Sequence, residues 1–186
     1  MTSIKYTTLH ADPPWPNQSG EAHYLTLPLE RIKQLGIALD PLVADDAHCW
    51  LWVTNATVAQ GQEVLRAWGF EYRSMLTWIK PRLGLGPYLR NMTEHVLLGT
   101  RGKAPVRFRG QGTWMFAPVQ DHSHKPEEIH DIIERVSPEG PRLELFARRP
   151  RPGWHVWGNE VRSDVDLVGF PVPDSPATRG EAGDAA

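Results

Sequence analysis

The sequence predicts an α/β fold built on a mostly parallel central sheet flanked by helices. Three observations carry this. Short β-like runs alternate with segments of helical period, the pattern of strands joined by helical crossovers. The run "AHCWLWV" (47–53) is almost continuously apolar, as expected of a strand buried on both faces. The segment "HKPEEIHDIIERVSP" places Ile129, Ile132, Ile133 and Val136 at helical spacing behind Pro126, which suits a first helical position, with Glu127 and Glu128 at the positive helix start.

The elements follow in order. "YTTLHA" (6–11) reads as a strand that runs into "DPPW". "PLERIKQLG" reads as a helix with Pro28 in its first turn, Leu29, Ile32 and Leu35 on one face and Gly36 at its end. After the 47–53 strand, "TNATVAQGQEVLRAWGF" reads as a helix capped by Thr54 or Asn55 and stopped by Gly69. "EYRSMLTWIK" and "TEHVLLGTRG" are further strands, separated by the Pro/Gly-rich loop "KPRLGLGPYLRN". "PRLELFARR" alternates, with Leu143, Leu145 and Ala147 on one face and Glu144, Phe146 and Arg148 on the other. The expected organisation is one domain over 1–162. A mostly disordered acidic tail, rich in Pro, Gly and Ala, is expected over 163–186, where Asp164, Asp166 and Asp174 read as solvating charge.

Bulk properties narrow the function classes. At 186 residues the chain can bury a substantial core, and 40% apolar with 23% charged residues is ordinary for a globular protein. The single cysteine, Cys49, excludes an internal disulfide framework and a CxxC zinc pattern, and favours a cytoplasmic protein. No apolar run approaches the ~18 residues of a membrane span, so no membrane partner is expected. A net charge of −2 gives no global basic field, so a nucleic-acid partner has to be met by local charge. Such a segment exists: residues 80–109 hold Lys80, Arg82, Arg90, Arg101, Lys103, Arg107 and Arg109 against Glu94 as the one acid. It suits a phosphate backbone, with Tyr88 or Trp114 available for stacking; a solvated loop face is the plainer alternative. Eight tryptophans divide between core and stacking duties.

The residues 12–15, "DPPW", end the first strand. In a parallel sheet, ligands bind beyond the carboxyl ends of strands. Pro13 and Pro14 stiffen the loop and keep their carbonyls as acceptors. Asp12 and the Pro13 carbonyl together accept the two N–H groups of an exocyclic amine on a flat base, while Trp15 stacks on the ring. An amine so held is aimed for in-line attack on an electrophilic methyl group. The competing reading is a structural loop, with Asp12 capping a helix and Trp15 in the core. A metal at His122, His124 and His130 is considered and set aside, because His130 lies on the regular helix and methyl transfer requires no metal.

"DPPW", "HYLTLPLERIKQL", "CWLWVTN", "AWGFEYRSMLTWIKP", "TEHVLLGTRG", "SHKPEEIHDIIERVSP" and "ELFARRPRPGWHVWGNEV", in that order, make the chain resemble the MT-A70 family over residues 8–161. These are S-adenosylmethionine-dependent adenine-N6 methyltransferases. The resemblance implies a Rossmann-like methyltransferase fold with permuted motif order, the catalytic motif preceding the main cofactor segment. It implies that Asp12, Pro13, Pro14 and Trp15 form the catalytic loop. Tyr24 and Glu94 would lie by the acceptor pocket, with Lys80, Arg82 and Arg90 from the basic segment as further substrate contacts. Lys125 would bind the carboxylate of the cofactor's methionine moiety; Asp12, Glu144, Phe146, Arg148, Asn159 and Glu160 would complete the cofactor site. Glu160 stands where some relatives have glutamine and can accept but not donate hydrogen bonds. The expected substrate is adenine in DNA, flipped or single-stranded. The same reaction on RNA, an inactive nucleic-acid-binding subunit and methylation of a small amine are the alternatives. Asp12, Trp15 and Lys125 argue against the inactive subunit, and the basic segment against the small amine. Homo- or hetero-oligomers are both open.

Overall fold

A computed structural model describes residues 4–16, 26–86, 88–120 and 124–170. Seven strands form one sheet: β1 (Tyr6–Ala11), β2 (Val43–Val53), β3 (Glu71–Ile79), β4 (Thr93–Arg101), β5 (Trp114–Phe116), β6 (Arg142–Leu145) and β7 (His155–Trp157). Their spatial order is β5-β3-β4-β2-β1-β6-β7. Pairing is parallel for β1 with β2, β1 with β6, β6 with β7 and β3 with β5; β4 runs antiparallel to both its neighbours. The α/β expectation is met, with β4 as the one reversed strand.

Side-chain alternation along β2 explains the apolar run. Cys49, Leu51 and Val53 belong to the core under α1 (Leu29–Leu39) and α2 (Val58–Ala67). Trp50 and Trp52 belong to the opposite core, under α3 (Glu128–Val136). With both faces covered, polar positions would be costly to bury, so the strand is apolar from Cys49 to Val53, while Asp45 and Asp46 fall on its exposed beginning.

Several boundaries differ from the sequence reading. Helix α1 continues through Gly36 to Leu39. A Cβ on Gly36 would lie 2.7 Å from the Ala67 carbonyl oxygen, so this glycine permits close approach of α1 to α2 instead of ending the helix. Helix α2 begins only at Val58, because the Thr54 N–H donates to Thr57 Oγ1 at 2.9 Å and closes a turn first. Pro126 precedes α3, which starts at Glu128. Strand β6 stops at Leu145, since Phe146 takes φ 61°, and the expected alternation through Arg148 is broken there. The three-residue strands β5 and β7 are too short to show a period.

The core also extends past the expected boundary at residue 162. Leu167 is 1% exposed and Val165 and Phe170 pack on the α1–α2 core. Asp164 accepts the Val156 N–H at 2.8 Å, and the Arg31 guanidinium lies over the Phe170 ring. The tail from 171 to 186 lies outside the described residues.

Candidate active site

Every strand that points with β1 delivers its following loop to one edge of the sheet. β2 departs from β1 on one side through α1, and β6 enters on the other, so the end of β1 is the topological switch point. Asp12 sits there. Two cavities meet at this point. The first, of about 510 Å³, is lined by Asp12, Trp15, Trp52, Trp78, Lys80, Arg82, Arg90, Glu94 and Lys125 among others. The second, of about 430 Å³, is lined by Asp12, Lys125, Glu144, Phe146, Arg148, Arg151 and Glu160 among others. Asp12, Trp52, His124 and Lys125 line both. Each volume falls in the range of small-ligand sites, roughly 300–1,000 Å³.

An ion ladder crosses the junction. Lys125 Nζ donates to Asp12 Oδ2 at 2.9 Å and lies 3.4 Å from Glu94 Oε2, while Lys80 Nζ donates to Glu94 Oε1 at 2.7 Å. Burial works against the charged Lys125 amine, but Asp12 and Glu94 outweigh it and hold the amine above its ordinary value. Burial likewise pushes the Glu94 carboxyl up, and Lys125 and Lys80 more than reverse this, leaving it below its ordinary value. Lys125 thus arrives with two carboxylate partners instead of standing open. An ammonium has three donors, so a ligand carboxylate would share it with Asp12 and Glu94.

The loop itself departs from the sequence reading in two ways. The Pro13 carbonyl accepts the Trp15 N–H at 2.9 Å, and the Pro14 carbonyl accepts the Leu27 N–H at 2.9 Å. Neither is an unengaged acceptor. The first bond closes a three-residue turn that fixes where the second Pro13 lone pair points. Trp15 is 2% exposed, and its indole N–H donates to the Trp52 carbonyl at 2.9 Å. It is a wall of the cavity packed into the core, not an open stacking platform; Trp52 and Trp78 supply further aromatic wall.

Lys80, Arg82, Arg90 and Glu94 come together in the first cavity as expected. The rest of the basic segment does not. β4 carries it to the opposite edge of the sheet, where Arg101 pairs with Asp40 at 2.8 Å and Arg107 pairs with Glu139. Tyr88 and Trp114 are exposed, at 96% and 61%, but neither lines either of these two cavities. Of the expected cofactor residues, Asp12, Lys125, Glu144, Phe146, Arg148 and Glu160 line the second cavity, while Asn159 is absent from the lining. Arg148 Nε is 3.4 Å from Glu160 Oε1. Tyr24 and His122 lie outside the described residues. Residues the sequence reading missed include Trp52, His10, Arg151 and the second-cavity role of His130. His10 had a legible signal: an imidazole on the α3 face of a buried strand, two residues before Asp12.

A model of the MT-A70 family matches residues 6–160. The chain belongs to the MT-A70 family. Among its relatives are the N(6)-adenosine-methyltransferase catalytic subunit METTL3 of Homo sapiens, 36% identical over 181 residues, and the N(6)-adenosine-methyltransferase MT-A70-like protein of Drosophila melanogaster, 35% identical over 168. These matches cover 88% and 84% of this chain but 30% and 27% of those proteins, so the chain spans about a third of their length or less. The type II methyltransferase M.MunI of Mycoplasma sp is 29% identical over 184 residues, covering 84% of this chain and 78% of that protein. No helix among the described residues is long and apolar enough to cross a membrane.

Proposed function

We propose that this MT-A70 chain transfers a methyl group from S-adenosylmethionine to the N6 amine of adenine in DNA, with the base out of its stack. The observation that carries the reading is the junction of two cavities on the Asp12–Lys125 ion pair. Methyl transfer needs two ligands held end to end, and a carboxylate at their meeting point suits an amine acceptor.

The second cavity fits S-adenosylmethionine by its donor set. Lys125, Arg148 and Arg151 suit a carboxylate; Asp12, Glu144 and Glu160 suit an ammonium and hydroxyls; Phe146 offers an apolar wall. When bound, that cofactor supplies an electrophilic methyl on a sulfonium. The first cavity fits a flat base, with tryptophan walls and Asp12 in its lining, and the Pro13 carbonyl follows directly in the loop as the second amine acceptor. Lys125 fixes the Asp12 carboxylate, and the Trp15 N–H fixes the Pro13 carbonyl. Together they hold the amine with its lone pair toward the second cavity. The amine would take the methyl group from that sulfonium, which would leave as a neutral thioether, and the N6 proton would pass along its hydrogen bond to Asp12. Arg82 and Arg90, exposed in the lining, suit the flanking phosphates, with Lys80 deeper and paired with Glu94.

The second reading is the same reaction on RNA, favoured by the relatives named as N(6)-adenosine-methyltransferases. One assay tests both. The protein is incubated with labelled S-adenosylmethionine and matched single-stranded DNA, duplex DNA and RNA, and nucleosides are read by mass spectrometry. Methylated deoxyadenosine is expected, falling by at least about 100-fold in Asp12→Ala, the scale of losing an electrostatic partner of the reacting group. Product on RNA alone would replace the polymer. Equal product from Asp12→Ala would sink the mechanism.

A further inference from the structure

The second cavity holds a buried cluster whose two histidines the mechanism above does not use. His10 on β1 is paired in register with Glu144 on β6, and His130 on α3 covers them. His10 is 2% exposed. The Trp52 indole N–H donates to His10 Nε2 at 2.8 Å. An imidazole nitrogen that accepts this bond carries no proton, so the neutral His10 ring holds its proton on Nδ1. That nitrogen is 3.6 Å from Glu144 Oε1: a dipole near the carboxylate rather than a full hydrogen bond. His130 Nε2 lies 3.1 Å from Glu144 Oε2, and the His130 ring stands edge-on to His10 and Trp154. Burial pushes the Glu144 carboxyl up, but His130, His10 and Arg151 outweigh it and keep it below its ordinary value.

His10, His130 and Glu144 place three ligand-type atoms within 4.8 Å of one another. The tautomer speaks against a metal there: the bond from Trp52 puts the proton on Nδ1, the atom a metal would take. The same bond sets the cluster's polarity: Trp52 donates to His10, the His10 Nδ1–H dipole faces Glu144 Oε1 without a hydrogen bond, and His130 Nε2 donates to Glu144 Oε2. One carboxylate oxygen is held by His130, which leaves the remaining lone pairs for the cavity, where Glu144 is part of the lining.

Resting on the reading of this cavity as the S-adenosylmethionine site, we propose that His10 and His130 are positioning residues that orient Glu144 to accept from the α-ammonium of the cofactor's methionine moiety. Two features select the ammonium over the ribose. Glu144 sits in register with His10, two residues from Asp12 and so near the reacting end, whereas Glu160 follows the outer strand β7. A carboxylate held ionised also meets a cation more strongly than a hydroxyl.

The test is calorimetric binding of two probes to the intact chain: S-adenosylhomocysteine, and 5′-methylthioadenosine, which keeps the ribose and lacks the amino-acid part. His130→Phe is expected to weaken S-adenosylhomocysteine about tenfold or more, the scale of a hydrogen bond to a charged group, and to leave 5′-methylthioadenosine unchanged. His130→Gln, which keeps an N–H donor, is expected to recover most of the loss. In a Glu144→Gln background, His130→Phe is expected to add nothing. Nitrogen NMR of the wild type provides a readout independent of variant folding, with His10 expected as the Nδ1–H tautomer. Equal losses for both probes, additive losses in the double variant, the opposite tautomer, or stabilisation by zinc that disappears in His130→Phe would each overturn the proposal. Failure of the wild type to bind S-adenosylhomocysteine would overturn the cavity reading as well, which separates the two.

Discussion

His10 shows how strongly one buried side chain can couple this fold to pH. Burial pushes its imidazole down to about 3, against the opposing pull of Glu144. The unfolded chain takes up that proton near the ordinary value of 6.5, and the folded chain does not until about 3. Between those values the unfolded state binds more protons, so stability falls as pH falls, by a total on the order of a few kcal/mol. His10→Asn is expected to flatten this slope, read as urea midpoints from pH 7.5 down to 4. An unchanged slope would show that His10 is not held neutral. Glu94 and Glu144 act in a lower window that overlaps the acid end of the His10 window. Their lowered folded values give stabilisation that is present above the ordinary 4.5 and is lost as pH falls through those lower values.

At the scale of elements, glycines and short clasps decide where the site stands. Gly36 lets α1 lie against α2, so Gly36→Ala is expected to cost about 1–3 kcal/mol by overpacking, measured as a shift in the denaturation midpoint. A better helix former that stabilised the chain there would show that α1 and α2 are free to separate. The loop after β3 is held across its own base. Lys80 N–H donates to the Met92 carbonyl at 2.8 Å, Gly84 N–H to the Asn91 carbonyl at 2.9 Å, and Asn91 Nδ2 to the Leu85 carbonyl at 2.8 Å. These bonds set Arg82 and Arg90 on the rim of the first cavity. The strand–helix alternation and the "DPPW" loop at the end of β1 were legible because period and punctuation are local. The run of α1 through Gly36 and the stop of β6 at Phe146 were not, because a neighbouring helix and a left-handed backbone are invisible to period.

Across the whole molecule, β4 sorts one basic segment into two parts. Lys80, Arg82 and Arg90 stay at the ligand edge, and Arg101 and Arg107 are carried to the far edge and paired with acids. Arg82→Ala with Arg90→Ala is expected to reduce the salt slope of nucleic-acid binding by about 1–2, one phosphate contact per arginine. Arg101→Ala with Arg107→Ala is expected to leave that slope unchanged, with a stability loss within about 1 kcal/mol per surface pair. Equal effects from the two pairs would place nucleic acid along the entire segment.

The sequence by itself determined the α/β class, the family, the position of Asp12 at a strand end and part of each cavity lining. Those properties depend on local periodicity and on short contiguous motifs. Tertiary structure alone decided that Lys125 is shared between Asp12 and Glu94, that Trp15 is a buried wall, that Leu167 belongs to the core, and that His10, His130 and Glu144 form one cluster. The reason is distance along the chain: Lys125 meets a carboxylate 113 residues away, and His10 meets Glu144 through a parallel pairing of the first strand with the sixth. No local pattern encodes such contacts. They exist only once the sheet order has brought β6 beside β1.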